Sequence, residues 1–289
     1  MNGPSHHSIR EPQSVARLSR TFSKSLSAVD LAEPLLSLDE NQPVALGAEL
    51  MGKRGITVLG VRRDGLVGGW VGPDDLTTGT LGEHLREFHR ADVLDESASL
   101  ALVLGVFART DQAFIDWRGE VTGVITRRDL QKPPLRMWLF GAITVLDANM
   151  TGAIEQLYPG DAWQSLISPR RAEKAAALQK ERDRRKSPCR LIDCLQIGDK
   201  ATILTSETAH LAAVGFPSKN EAQRLMAAIE DLRNHLAHAQ ELSRRHLTTA
   251  TKLAAMIDSI LRAEGVQRIL ASRADAPKIP EPSTTAFSS

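Results

Sequence analysis

Arg233, Asn234 and His238 fall within six consecutive residues, Arg233-Asn234-His235-Leu236-Ala237-His238. They supply a permanent cation, an amide and an imidazole. Imidazole accepts or donates a proton near neutral pH. Guanidinium can stabilise extra negative charge on a phosphate by bidentate contact. RNA carries its own nucleophile: its 2′-hydroxyl can attack the adjacent phosphate and leave a cyclic phosphate. Arg233 and His238 match the needs of that reaction, and Asn234 could orient His238 or a phosphate oxygen. No metal is required. None is expected, because the two cysteines, Cys189 and Cys194, lack a CxxC pattern and no His/Cys cluster sits beside them.

A helix must position these groups. The segment 218–243 reads as one, opened by Ser218-Lys219-Asn220-Glu221 as a capping box. At about 100° per residue, Leu225, Ile229, Leu232 and Leu236 form a core-facing stripe. Arg233 and His235 border that stripe on opposite sides. Asn234 and His238, four apart, are neighbours on the face turned away from the core. Ala237 leaves room for close approach. One helix therefore offers only part of a site, and a second copy would complete the cleft. Asp147, after the apolar Ile143-Thr144-Val145-Leu146, is a further candidate. A buried carboxylate needs a partner, and Arg233 or His238 would serve. At the solvent edge of its helix it would need none. Between residues 170 and 190, nine Lys/Arg residues against three acids could follow an RNA backbone, or could simply form a solvated helix. Aromatic interleaving for base stacking is absent there.

A second constellation lies upstream, in Gly123-Val124-Ile125-Thr126-Arg127-Arg128-Asp129-Leu130. A strand ending at Ile125 and a helix starting near Thr126 would aim a hydroxyl and backbone N–H groups at a phosphate. Asp129, about one turn on, could accept from both ribose hydroxyls. This segment closes the second copy of an internal repeat. Copy one runs from Ser27 to Leu76 and copy two from Thr80 to Leu130, about 54 to 56 residues apart. Both contain Leu-Asp-Glu and both end in Asp-Leu. Each copy reads as a short amphipathic helix (Val29–Leu35, Leu81–Phe88), a small-residue helix (Pro43–Met51, Ser97–Val106) and two strands. The strands are Thr57–Val61 with Leu66–Val71, and Ala113–Trp117 with Glu120–Ile125. Asp64-Gly65 and Arg118-Gly119 mark the hairpins. Copy one keeps Asp75 but has Gly72 where copy two has Thr126, and Trp70 is bulky enough to fill part of any site there.

The wider sequence bounds the rest. The 289 residues suggest about two domains. A net charge of +1 gives no global attraction for nucleic acid, so local clusters must supply it. Residues 1–26 and 274–289 read as disordered tails. No apolar segment of a signal peptide is apparent. The longest mostly apolar run, Met137 to Leu146, is shorter than the roughly 20 residues that span a bilayer, so no membrane is expected and the location is read as cytoplasmic, with reduced thiols. From Leu135 the signal is helical, with candidate helices at 135–157, 161–185, 189–205, 218–243 and 247–265.

The repeat resembles a tandem CBS-domain pair, and the closing segment of copy two carries the likeness. That resemblance implies an adenosine nucleotide, AMP or ATP, as a regulatory ligand at Gly123, Thr126, Asp129 and, in the degraded copy, Asp75. The Arg-Asn-x-x-Ala-His motif on a late helix resembles HEPN domains, small helical bundles that usually dimerise and include metal-independent ribonucleases. The expected fold is thus an α+β CBS pair over 27–132 followed by an all-α helical bundle over 135–266. The expected function is a nucleotide-regulated endoribonuclease acting as a homodimer on RNA, with Arg233, Asn234, His238 and Asp147 in its site and no required cofactor. The alternatives are a non-catalytic nucleotide sensor that dimerises or binds a partner through its helices, and a HEPN domain that modifies nucleotides or binds nucleic acid without cleavage.

Overall fold

The computed structural model describes residues 25–206 and 218–274, with side chains through residue 259. Nearly all of both expected tails, and the Gly215-Phe216-Pro217 punctuation, lie outside the described residues. The repeat forms two four-stranded sheets. Copy one contributes β1 (Glu33–Pro34), β2 (Ser37–Asp39), α1 (Val44–Arg54), β3 (Leu59–Arg63) and β4 (Leu66–Val71). Copy two contributes β5 (Arg86–Glu87), β6 (Val93–Asp95), α2 (Leu100–Phe107), β7 (Gln112–Trp117) and β8 (Glu120–Thr126). In each copy a strand pairs in parallel across its helix, then folds back as a hairpin. The hairpin turns hold Asp64-Gly65 and Arg118-Gly119 at positive φ, as their sequences predict. A register shift recurs at Val61/Arg62 and at Ile115/Asp116.

The short helices expected at Val29–Leu35 and Leu81–Phe88 do not form. Each is a 3-10 turn, Ala28–Asp30 or Leu81–His84, followed by a two-residue strand. Pro34 has no amide hydrogen to continue a helix. Both segments instead complete the other copy's sheet: β1 pairs with β8, and β5 with β4. This exchange accounts for Gly69. A Cβ there would lie 2.4 Å from the carbonyl oxygen of Arg86, in the space the arriving β5 takes. At Gly123 a Cβ would lie 3.1 Å from Ile115 Cβ of its own hairpin partner β7 and at an ordinary 3.5 Å from Ala32 Cβ.

The C-terminal part is largely helical. It comprises α3 (Pro133–Leu157), α4 (Pro169–Arg184), α5 (Ile197–Leu204), α6 (Lys219–Ala237) and α7 (Arg244–Ala274). Some expected helices are shorter, for local reasons. Gly160 and Asp161 at positive φ break 161–185 ahead of Pro169. The run 189–205 divides into a 3-10 turn, Leu191–Cys194, and α5. By length and composition α3 could cross a membrane, but 56% of its apolar window is buried inside the fold. Leu135, Trp138, Leu139, Ala142, Ile143, Leu146 and Ile154 make it the central core helix. One apolar cluster runs from Leu31, Leu104 and Phe107 of the repeat through α3 to Ile229 and Leu253, so copy two shares its core with the helices. The sheet of copy one has a separate small core around Val44, Leu59 and Val61, to which Leu81 of copy two contributes.

Candidate functional site

Ser218 caps α6 as its sequence predicts, its hydroxyl accepting from Glu221 N–H at 3.2 Å. The buried face is Ala222, Met226, Ile229 and Leu232, with Leu225 and Leu236 half-buried, a stripe rotated slightly from the expected one. The helix stops at Ala237. His238 is its C-cap, and Ala239 follows at φ 52°. Arg233, Asn234 and His238 are all exposed at this end. Among the described residues none of their side chains has a hydrogen-bonding or ionic partner.

Asp147 is not with them. It lies on α3 and accepts from Lys200 Nζ of α5 at 2.7 Å. The Lys200 side chain is only 2% exposed. A buried ammonium must be paired, and Asp147 serves that need rather than Arg233 or His238. The sequence holds a sign of this, a lysine in the apolar Ile197-Gly198-Asp199-Lys200-Ala201, but not its partner.

The structure also gathers three groups that sequence reading missed. Asp231, His235 and His246 bring ligand-capable atoms within 4.8 Å of one another, so the expected lack of such a cluster is corrected. The hydrogen bonds say what they do as they stand. Ser243 N–H donates to His246 Nδ1 at 3.1 Å, so the ring carries its hydrogen on Nε2 and donates it to Asp231 Oδ2 at 3.1 Å. His235 Nδ1 donates to the Asp231 carbonyl at 3.0 Å. The two imidazole rings lie 4.0 Å apart. A cation would have to displace this arrangement, which fixes the turn between α6 and α7 directly behind Arg233 and His238. The i, i+4 spacing of Asp231 and His235 was visible in the chain; the return of His246 was not.

That turn is also tied to the repeat. Arg136, in the first turn of α3, donates to the carbonyls of Gln240 at 2.9 Å, His235 at 3.2 Å and Leu236 at 3.5 Å. A guanidinium at a helix C-terminus meets orphan carbonyls and the negative end of the helix dipole. Gln131 donates to the Leu242 carbonyl at 3.0 Å and accepts from Leu242 N–H at 2.8 Å. Residues 131–136 therefore join the end of copy two to the end of α6.

The second constellation sits just upstream. Asp129 Oδ2 accepts from Thr126 N–H at 2.8 Å and from the Thr126 hydroxyl at 2.7 Å. Lys132 reaches Asp129 Oδ1 at 2.9 Å, Glu33 at 2.5 Å and the Leu31 carbonyl at 2.6 Å. Burial acts to lower the pKa of Lys132, but the bonds to Glu33 and Asp129 outweigh it and the net shift is upward. Asp129 is buried and its lone pairs are engaged, so it holds this turn closed rather than offering itself to a ribose. Gly123 lies in β8, between Ile115 of β7 and the edge where β1 pairs. In copy one Asp75 accepts from Gly72 N–H at 2.7 Å and from Arg86, which lies 5.0 Å over the Trp70 ring. Trp70 in turn packs on Phe114 at 5.7 Å.

The basic stretch is exposed on and after α4, where Arg184 and Arg185 pair with Glu181, and Arg190 with Asp193 and Glu155. Cys189 and Cys194 are free thiols with sulfurs 3.3 Å apart, and burial, then the hydrogen bond with Cys189, pushes Cys194 up to about 11.

No family model and no curated protein matches this chain. Among solved structures it is similar to the Hypoxic Response Protein I with two coordinated zinc ions, at 20% identity and a TM-score of 0.31, over 36% of this chain and 95% of that one. CBSX2 in complex with AMP is similar at 18% identity and a TM-score of 0.34, over 39% of this chain and 98% of that one. The CBS domains of a Streptococcus pneumoniae transcriptional regulator are similar at 19% identity and a TM-score of 0.32, over 36% and 96%.

Proposed function

We propose that this chain is a metal-independent RNA endonuclease of HEPN type, with Arg233 and His238 as its working pair and the CBS-like repeat as its regulatory module. One observation carries the reading. At the end of α6, Asp231 and His235 are held by their own surroundings, whereas Arg233, Asn234 and His238 are exposed and have no side-chain partner among the described residues. In cleavage, His238 takes the proton from the 2′-hydroxyl or supplies one to the leaving 5′-oxygen, and Arg233 stabilises the phosphorane. Asn234 orients one of them. Arg233 and His238 lie about 140° apart around the helix, so one helix does not converge them on one phosphate. A second copy supplies the complement across a two-fold axis. An adenosine nucleotide is the regulator, and its entry at copy two has to open the Thr126–Asp129 turn.

The test is incubation of the purified full chain with total RNA in EDTA. Wild type is expected to leave fragments with cyclic phosphate ends. Arg233→Ala and His238→Ala are expected to lower the rate by about 100-fold or more. Absence of cleavage across RNA types, or cleavage unchanged in both variants, rejects the proposal. A second reading, a sensor without chemistry, draws on the exposed Met137 and Phe140 of α3, 59% and 49% exposed, which fit a dimer or partner face. Nucleotide binding without any RNA cleavage would favour it.

A further inference from the structure

The chain has two cysteines, and the fold brings them together. Cys189 stands in the connector after α4, where its carbonyl accepts from Gln179 Nε2 of that helix at 3.0 Å. Cys194 ends the 3-10 turn Leu191–Cys194 that leads towards α5. Two bonds close that turn. Asp193 N–H donates to the Arg190 carbonyl at 3.1 Å, and the Arg190 guanidinium grips the Asp193 carboxylate at 2.9 and 3.0 Å. A 3-10 turn repeats every three residues, so the chain folds back on itself and the two sulfurs stop 3.3 Å apart. A disulfide needs about 2.05 Å. No second segment has to arrive to make one.

The two thiols are not equivalent. Cys194 is 8% exposed and belongs to the apolar core, whereas Cys189 is half-buried and packs on the edge of that core. The thiolate, not the thiol, attacks a disulfide. Burial pushes Cys194 up to about 11, with the hydrogen bond and the charge of Cys189 adding to the rise. A reagent in solution therefore meets Cys189 first. Both contributions from Cys189 end once its sulfur is modified, while Arg182 favours a Cys194 thiolate. One sulfur is placed to attack and the other to resolve.

We infer that Cys189 and Cys194 form a reversible redox modification site whose co-reactant is a small-molecule disulfide. The Cys189 thiolate attacks one sulfur of that molecule. Its S–S bond breaks, a mixed disulfide forms on Cys189, and one thiolate leaves. Cys194 then loses its proton to solvent, attacks Cys189 Sγ and expels the second thiolate. The two protein sulfurs are oxidised to a bridge, and one small-molecule disulfide is reduced to two thiols. The effect is local. The bridge fixes the connector whose Arg190 pairs with Glu155 of α3 and whose start is held by Gln179 of α4, so oxidation stiffens the joint between these helices and α5. The site does not depend on the RNA-cleaving reading.

The experiment treats the fully reduced full chain with one equivalent of glutathione disulfide and reads free thiols and intact mass. Both thiols are expected to disappear, with loss of two hydrogens, no retained glutathione and no covalent dimer, and dithiothreitol should restore them. Amide exchange across residues 190–195 should slow in the oxidised chain. Cys194→Ala should stop at a glutathione mixed disulfide on Cys189. Cys189→Ser should react at least about tenfold more slowly than Cys194→Ala. The wild-type mass needs no variant, so the test stands even where Cys194→Ala fails to fold. Thiols that stay free in wild type overturn the inference. So does a mixed disulfide that persists there, a bridge between two copies, or equal reaction of the two single variants.

Discussion

The two copies of the repeat place an aspartate at the same point, Asp75 and Asp129, yet they use it differently. In copy one the carboxylate accepts a single backbone N–H, from Gly72, and its remaining capacity goes to the half-exposed Arg86. In copy two it accepts an N–H and a hydroxyl from Thr126, and Lys132 ties it to β1. Four residues after Asp129, α3 begins, and Gln131 and Arg136 clasp the turn that ends α6. Copy one has no such continuation; its aspartate leads into the link to β5. Duplication therefore produced one closing turn that is local and one that is a junction. A change at the second is felt at Arg233 and His238 by a short route, while a change at the first must pass through the sheets.

Substitution of the two aspartates should separate these roles most strongly. Asp129→Ala removes the acceptor of the half-buried Thr126 amide and hydroxyl and one of the three partners of Lys132, and should cost about 2–3 kcal/mol in denaturant unfolding. Asp75→Ala, whose main partner is half in water, should cost about 1 kcal/mol. Equal losses would break the comparison. Next comes Gln131→Ala, which removes both bonds to Leu242 and should cost about 1–2 kcal/mol. Amide exchange should quicken across residues 238–243, whereas a change at Thr77, the matching position in copy one, should leave those amides alone.

Alkaline pH offers a third contrast. The Lys132 pKa is raised in the fold, so its contribution is whole below the ordinary lysine value of about 10.4 and declines as pH climbs through the higher folded value. The stability gap between wild type and Lys132→Met should therefore close above that point. The Arg86 pair of copy one should show no such closing, because arginine stays charged. The smallest effect is a repair. A Cβ at Gly72 would sit 3.5 Å from Trp70 and 3.6 Å from Asp75 Oδ2, ordinary contacts. Gly72→Thr should restore the hydroxyl bond of copy two and stabilise by about 0.5–1 kcal/mol. A loss instead would show that copy one cannot adopt the geometry of its twin.

The repeat was legible because its marks are local: Asp64-Gly65 and Arg118-Gly119 turn the hairpins, and Leu-Asp recurs at the ends of β2 and β6. The exchanged strands were not, since β1 and β5 are two residues long and take their form from the other copy's edge. The start of α6 was legible in Ser218-x-x-Glu221 and its buried stripe in the periodicity, but its end was not: the expected helix ran to 243 and stops at Ala237. Nor was what lies behind it. Asp147 finds Lys200 across 53 residues and Asp231 finds His246 across 15, and no spacing rule joins such pairs. The buried state of Asp129 was hidden for the same reason, because Lys132 and Glu33 meet only when β1 crosses to β8.

The central claim is that the working site is split between two copies, with arginine from one and histidine from the other. Mixing Arg233→Ala and His238→Ala proteins tests it directly, by following RNA cleavage in EDTA after subunit exchange. Each variant alone should be inactive, and the mixture should regain on the order of a quarter of the wild-type rate, since half of randomly paired dimers are mixed and each keeps one of two arginine–histidine combinations. A mixture as inactive as its parents, beside an active wild type, would contradict the shared cleft; an inactive wild type would contradict the enzyme.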